Sequence, residues 1–222
     1  MKSKTVLVFD LDDTLYKEID FLKSAFKDIA SYLSSIKNKP SEIILSDMKQ
    51  YYESGLNVFD SILETYEISH VSKKDLTHMY RNHKPQISMS QELMVLLIKL
   101  KKAVFKVGLI TDGRSTQQRN KIEALGLSGY FDDIIISEEF GSEKPNINNF
   151  KFFVDKYGTS LRYVYVGDNT KKDFIAPNYL NWCTICLMDN GKNIHKQSFD
   201  LDITNKPHYV INDLNEIEAI LN

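Results

Sequence analysis

The chain is short of the residues that hold a small protein together or anchor it elsewhere. Its 222 residues include two cysteines, one tryptophan and five prolines. Two cysteines cannot build the dense disulfide framework of a small secreted domain. No apolar run approaches the ~18 residues that a membrane-spanning helix needs. The longest candidate, Met94 to Ile98, reads as part of an amphipathic helix. At the start of the chain the apolar stretch after Thr5 reaches Asp10 within a few residues, too short for the core of a signal peptide. A cytoplasmic protein is therefore expected. Excess charge of one sign is missing too: 28 basic against 30 acidic residues leave a net −2. Neither nucleic acid nor an anionic membrane is expected as a partner on that balance.

Cys183 and Cys186 form a C-x-x-C. On the strand expected over 182–188, residues three apart point to opposite faces, so the pair is read as two buried structural thiols, not a metal or redox site.

Material for a core is plentiful, with 42% hydrophobic and 26% charged residues. Five β-branched runs, at 5–9, 106–110, 133–137, 162–166 and 184–188, alternate with stretches of helical periodicity at 90–102, 115–125, 146–157 and 212–221. Ser88 with Gln91 reads as a capping pattern for the first of these helices, and Gly126 and Gly158 follow the next two as stop signals. This alternation predicts an α/β protein with a doubly wound, Rossmann-like parallel sheet. Residues 17–85 break the rhythm. Leu22, Phe26, Ile29, Leu33 and Ile36 lie on one helical face, and helices are expected over 41–54, after Asn57, and from a cap at Ser72 with Asp75. Such a stretch exceeds what one crossover needs and reads as a separate small helical domain over 17–85, with 1–16 and 86–222 forming the α/β domain.

Ligands of open α/β sheets bind at the carboxyl ends of the strands. There the sequence places Asp10-Leu11-Asp12-Asp13-Thr14, then Thr111-Asp112-Gly113, Lys144-Pro145, and Gly167-Asp168-Asn169 with Asp173 five residues beyond Asp168. Carboxylates, one hydroxyl and one ammonium suit a hard divalent cation and a phosphoryl group. Asp10 and Asp168 are candidate oxygen ligands, and Asp10 is also a candidate nucleophile at phosphorus. Asp12 is placed to protonate a leaving oxygen and then deprotonate water. Thr111 can donate to a phosphoryl oxygen, Lys144 can neutralise charge on Asp10 and the transferring group, and Asp173 can orient Lys144 or a metal-bound water. Asp13 reads as a loop residue. His78 and His83, five apart, are expected at the surface, with Arg81 a leaving-group contact. Tyr51 and Tyr52 are expected in helix packing, and Lys101-Lys102 and Lys171-Lys172 at solvated helix ends. There is no G-x-x-x-x-G-K-[ST] loop, which argues against a P-loop nucleotide hydrolase.

The run Asp10-Leu11-Asp12-Asp13-Thr14 resembles the D-x-D-x-T signature of the haloacid dehalogenase superfamily. Ile110-Thr111-Asp112-Gly113 is similar to its second motif, Lys144-Pro145 to its third, and Gly167-Asp168 with Asp173 to its fourth. The resemblance extends over nearly the whole chain and includes room for a helical cap after the first motif. It implies a Mg²⁺-dependent phosphatase for a small phosphate monoester, working through an aspartyl-phosphate on Asp10 with Asp12 as acid and base. The implied metal set is Asp10, Asp12, Asp168 and Asp173, and the implied phosphate-binding set is Thr111, Asp112, Gly113 and Lys144. Dehalogenases and phosphonatases of the family lack the second Asp, so Asp12 favours phosphate esters. A phosphotransferase or mutase, and a module that only binds, remain as alternatives. Asp112-Gly113 departs from the Thr-Asn that many capped members carry. Nothing in the sequence indicates an oligomeric state.

Overall fold

The computed structural model describes residues 3–221. Its elements run β1 (Thr5–Phe9), α1 (Glu18–Lys37), α2 (Ser41–Glu53), α3 (Val58–Thr65), α4 (Lys73–Asn82), α5 (Gln91–Ala103), β2 (Lys106–Thr111), α6 (Ser115–Ala124), β3 (Asp133–Ile136), α7 (Ser137–Phe140), α8 (Ile147–Tyr157), β4 (Arg162–Gly167), α9 (Ile175–Tyr179), β5 (Cys183–Leu187), β6 (Tyr209–Ile211) and α10 (Ile217–Leu221). Two compact units result, one formed by the chain through Ile19 together with Ser88 onward, the other by Asp20–Ile87. Among the described residues no helix is long and apolar enough to cross a membrane.

The first unit is a six-stranded, all-parallel sheet in the order β3-β2-β1-β4-β5-β6. All five residues of β1 are buried, the signature of a central strand covered on both faces. One face packs Val6, Val8, Ile110 and Tyr165 with Phe150, Phe153 and Trp182. Phe153 lies so close to β2 that a Cβ on Gly108 would stand 2.2 Å from its ring. Because β1 lies between β2 and β4, the carboxyl ends of these three strands are adjacent, and the Asp10 N–H donates to the Val166 carbonyl at 2.8 Å. The first crossovers run to one side of β1 and the later ones to the other. Such a reversal opens a crevice at the strand ends.

Several expectations are corrected. A sixth strand, β6, is present; its three residues are mostly exposed and too few to show a period. The helix expected over 212–221 is a 3-10 turn at Leu214–Glu216 followed by the short α10, because Asp213 and Glu216 form a capping box that starts the turn there. The cap of α5 is Ser90, whose side chain accepts from the Leu93 N–H, rather than Ser88. Cys186 is buried, but Cys183, at the start of β5, is partly exposed. Lys101 is not simply solvated: its ammonium donates to the Gly129 carbonyl at 3.1 Å and also to that of Tyr130.

In the second unit the four helices α1–α4 bury Phe26, Ile29, Leu33, Ile44, Met48, Ile62 and Leu76. Asn57 caps α3, and Ser72 with Asp75 forms a reciprocal capping box on α4. His83 is no plain surface residue. Its ring lies 4.4 Å from that of Phe21, and its Nδ1 is 2.8 Å from the Tyr80 carbonyl oxygen.

Candidate active site

The residues that end β1, β2 and β4 converge on a cleft of about 110 Å³ lined by Asp10, Asp12, Asp13, Glu18, Thr111, Asp112, Asp168, Asn169, Lys172 and His195. Asp10 is 5% exposed, and its Oδ1 accepts from Lys144 Nζ at 2.6 Å. The same ammonium lies 2.8 Å from Asp173 Oδ1 and 3.1 Å from the Tyr165 hydroxyl. Asp173 is fully buried, and its Oδ2 accepts from the backbone N–H groups of Asp168 (3.1 Å) and Asn169 (2.8 Å). Asp173 thus fixes both the lysine and the turn that carries Asp168. Gly167 makes this possible: a Cβ there would stand 2.4 Å from Asp173 Oδ2.

Carboxylate oxygens of Asp10, Asp168 and Asp173 lie within 4.8 Å of one another. Burial, outweighing Lys144, pushes the Asp10 carboxyl up to about 7. Burial and the charges of Asp10 and Asp173 push Asp168 up to about 9. Crowded carboxylates that resist ionisation favour a further cation among them, and an all-oxygen donor set suits a hard divalent one. Asp10 and Asp168 fit as ligands. The oxygens of Asp173 are already engaged by Lys144 and two backbone N–H groups, so it supports the site from behind.

Asp12 does not join that cluster. Its Oδ1 accepts from Lys121 Nζ at 2.7 Å and from the Tyr16 hydroxyl, and its Oδ2 accepts from Gln118 Nε2 at 2.9 Å. Burial acts to raise Asp12, but the Lys121 ammonium and these hydrogen bonds prevail and hold its carboxyl below the usual range. Thr111 is buried beside it and shares Gln118 Nε2. Asp12 as a side-chain metal ligand is therefore corrected: its carboxylate is drawn toward α6.

The Asp112 carboxylate accepts from the Lys144 backbone N–H at 3.0 Å and from Lys172 Nζ at 2.6 Å. Gly113, exposed, donates its N–H to Ser137 Oγ at 2.9 Å. The Asp112 carboxylate and the Gly113 N–H thus tie loops together, while Thr111 borders the cleft and Lys144 reaches Asp10. Lys172 borders the cleft instead of ending a solvated helix. Asp13, at φ +57°, accepts the N–H groups of Glu18 and Ile194 and so serves the loop.

Sequence reasoning missed Tyr16, Gln118, Lys121, Tyr165 and the segment after β5. There, Asn193 Nδ2 donates to Asp168 Oδ2 at 2.8 Å, and Gln197 Nε2 donates to the Asp168 carbonyl at 2.8 Å. One signal was available. Gln118 and Lys121 share the helical face of Ile122, so polar residues occupy the phase where a core is expected.

A family model described as haloacid dehalogenase-like hydrolase matches residues 7–185. This chain belongs to that family. The hydrolase is 29% identical to a glyceraldehyde 3-phosphate phosphatase of Methanocaldococcus jannaschii, over 97% of this chain and 96% of the relative. It is 26% identical to the pyrimidine 5'-nucleotidase YjjG of Escherichia coli, over 97% and 96%. Its fold is also that of the HAD-hydrolase YfnB of Bacillus subtilis, solved bound to magnesium, with a TM-score of 0.66 at 21% identity and full coverage of both chains.

Proposed function

We propose that this hydrolase is a Mg²⁺-dependent phosphatase that cleaves a small phosphate monoester through a phosphorylated Asp10. The observation that carries the reading is the pairing of buried Asp10 with Lys144 at 2.6 Å, beside Asp168 and at the floor of a cleft sized for a phosphoryl group. The activities for which the relatives are named, on a triose phosphate and on pyrimidine nucleotides, support a small phosphorylated metabolite.

An Asp10 oxygen attacks phosphorus while the bond to the ester oxygen breaks. Asp12 delivers a proton to the leaving alkoxide. A Mg²⁺ held by Asp10 and Asp168 would supply positive charge for the phosphoryl oxygens and relieve the repulsion among the carboxylates. Lys144 offsets charge on Asp10 and on the transferring group, and Thr111 donates to a phosphoryl oxygen. In the second half Asp12 takes a proton from water, the water oxygen bonds to phosphorus, and the bond to Asp10 breaks. Inorganic phosphate leaves as the monoanion, taking the proton from Asp12, and both Asp10 and Asp12 are regenerated as carboxylates. Asp12 rests as a carboxylate, so its proton for the first half comes from a monoester bound as the monoanion.

The division of labour expected from the sequence, with 1–16 and 86–222 carrying the chemistry and 17–85 the choice of substrate, is part of this proposal. Exchanging segment 17–85 for that of a relative tests it by whether the substrate ranking follows the segment.

Phosphate release over a panel of triose phosphates, sugar phosphates and nucleoside monophosphates, with and without Mg²⁺, tests the main reading beside Asp10→Asn. Release that requires the metal and falls by at least about 10³-fold in the variant is expected. Release that survives Asp10→Asn removes the nucleophile. Release that appears only with an added acceptor sugar favours phosphoryl transfer.

A further inference from the structure

We infer that Gln118 and Lys121, on one face of α6, are positioning residues that reserve the Asp12 carboxylate for proton transfer and present it through Oδ2. The inference rests on the phosphatase reading and adds to it two residues that lie in none of the four sequence motifs. Lys121 is 1% exposed, an uncommon environment for an ammonium unless it is paired. Its partners include Asp12 at 2.7 Å and Glu18 at 3.7 Å, with the Tyr16 ring 6.0 Å away. Gln118, also 1% exposed, aims one amide nitrogen at three acceptors: Asp12 Oδ2 at 2.9 Å, the Asp112 carbonyl at 3.1 Å, and Thr111 Oγ1.

The geometry assigns the two Asp12 oxygens different tasks. A carboxylate offers about four lone-pair positions, two on each oxygen. On Oδ1 both are taken, by Lys121 and Tyr16. On Oδ2 one is taken, by Gln118. The remaining position lies on Oδ2, in a side chain that is 19% exposed and borders the cleft. That position is where a leaving oxygen or a water can exchange a proton.

The same contacts keep Asp12 apart from Asp10 and Asp168, two residues and one strand away. Without Lys121 and Gln118, the Asp12 carboxylate loses two of its three donors and is free to turn elsewhere. Gln118 also joins Asp12 to Thr111, so one helix sets both the proton-handling group and the hydroxyl aimed at the phosphoryl group. Residues three apart on a helix share a face, which is how α6 reaches all of these acceptors at once.

The test compares an ester whose leaving group needs a proton with one whose leaving group does not. For sn-glycerol 3-phosphate and p-nitrophenyl phosphate, kcat/KM is measured in wild type, Lys121→Met, Gln118→Met and Lys121→Arg, together with the Mg²⁺ concentration giving half-maximal rate. Thermal melting establishes that each variant is folded. Lys121→Met is expected to lower kcat/KM for the alkyl ester by about 100-fold and for the aryl ester by less than about 5-fold, the size of effect that general acid catalysis carries. Gln118→Met lowers both, the alkyl ester more, because it also loosens Thr111. Lys121→Arg restores most of the alkyl activity, and the Mg²⁺ requirement does not move.

Equal losses on the two esters, no loss in any folded variant, or a Mg²⁺ requirement that shifts with Lys121→Met overturns the inference while leaving the phosphatase reading intact. If Lys121→Met does not fold, Gln118→Met carries the ester comparison, with Lys121→Arg expected to stay near wild type; if Gln118→Met does not fold, Lys121→Met carries it alone. A wild type that releases phosphate from neither these esters nor the wider panel overturns both.

Discussion

Two aspartates two residues apart, each paired to a buried lysine, are driven in opposite directions. Asp10 shares Lys144 with Asp173 and faces Asp168, and its carboxyl is pushed up to about 7. Asp12 has Lys121, whose ammonium also lies near the more distant Glu18, plus donors from Tyr16 and Gln118, and its carboxyl is held low. Burial opposes ionisation in both, so the number of carboxylates per cation decides the outcome. One lysine among Asp10, Asp168 and Asp173 leaves negative charge in excess, which attracts a divalent ion. One lysine with two further donors on Asp12 leaves a satisfied carboxylate with a single open position. The first half suits a metal and a nucleophile, the second a proton carrier.

Removing the cation breaks the comparison most sharply on the Asp10 side. Lys144→Met leaves Asp10 and Asp173 buried with no ammonium between them. Loss of one partner from a buried ion pair costs about 3–5 kcal/mol, and loss of the positive charge beside the transferring group costs about 10³-fold or more in kcat. Urea unfolding and phosphate release check the two expectations. Raising Mg²⁺ should recover part of the stability and little of the rate, since the metal shares the charge burden but not the Lys144 position. Full recovery of rate by Mg²⁺ would mean that the lysine acts only as a counter-ion.

A subtler break comes through a residue with no side chain. Gly167→Ala places a Cβ 2.4 Å from Asp173 Oδ2, so either the strand end or the carboxylate must shift. Asp173 then loses its hold on the Asp168 and Asn169 N–H groups, and Asp168 loses its aim. Overpacking of this kind costs about 1–3 kcal/mol. The apparent Mg²⁺ affinity should weaken about tenfold by titration of activity, a figure of the order reported for changes behind metal ligands. Contacts of Asp12 do not pass through Gly167, so the ratio of alkyl to aryl ester turnover should stay as in wild type.

The two halves were not equally legible in the sequence. Asp10, Thr111, Lys144 and Asp168 all follow strands or short motifs, and strand ends are readable from β-branched runs bounded by polar residues. Periodicity likewise revealed the helices of the 20–87 unit, because Asn57 and Ser72 carry local capping chemistry. The partners of Asp12 could not be read that way. Gln118 and Lys121 lie more than a hundred residues from it, and their importance comes from a tertiary approach of α6 that no local pattern encodes. Tyr165 was read only as a strand residue, since its hydroxyl reaches Lys144 from within β4. The segment after β5 is irregular, so Asn193 and Gln197 had no period to betray them. Strand β6 was too short, and Lys172 looked like half of a solvated lysine pair until the fold set Asp112 beside it.

The smallest effect expected is also the one that separates the halves by sign. Asp10 and Asp168 bind protons more tightly in the folded chain than the ordinary carboxyl value of 3.8. Raised values mean that their contribution to stability is fully present below about 4 and is lost as pH climbs through about 7 and about 9. Asp12 runs the other way: its contribution is present above the ordinary carboxyl value and is lost on acidification below it. In EDTA, melting temperature should therefore decline by at least a few degrees between pH 5 and pH 9. Mg²⁺ should remove that decline, and the stabilisation it gives should grow with pH because the ion competes with protons for Asp10 and Asp168. Asp168→Asn should flatten the EDTA curve and abolish most of the Mg²⁺ response. Lys121→Met should remove the acid-side contribution of Asp12 and steepen the decline above pH 4, where a buried Asp12 that has lost its ammonium must still ionise. If Mg²⁺ stabilises equally at pH 5 and pH 9, the carboxylates at the ends of β1 and β4 are not what the metal relieves, and the contrast between Asp10 and Asp12 loses its electrostatic basis.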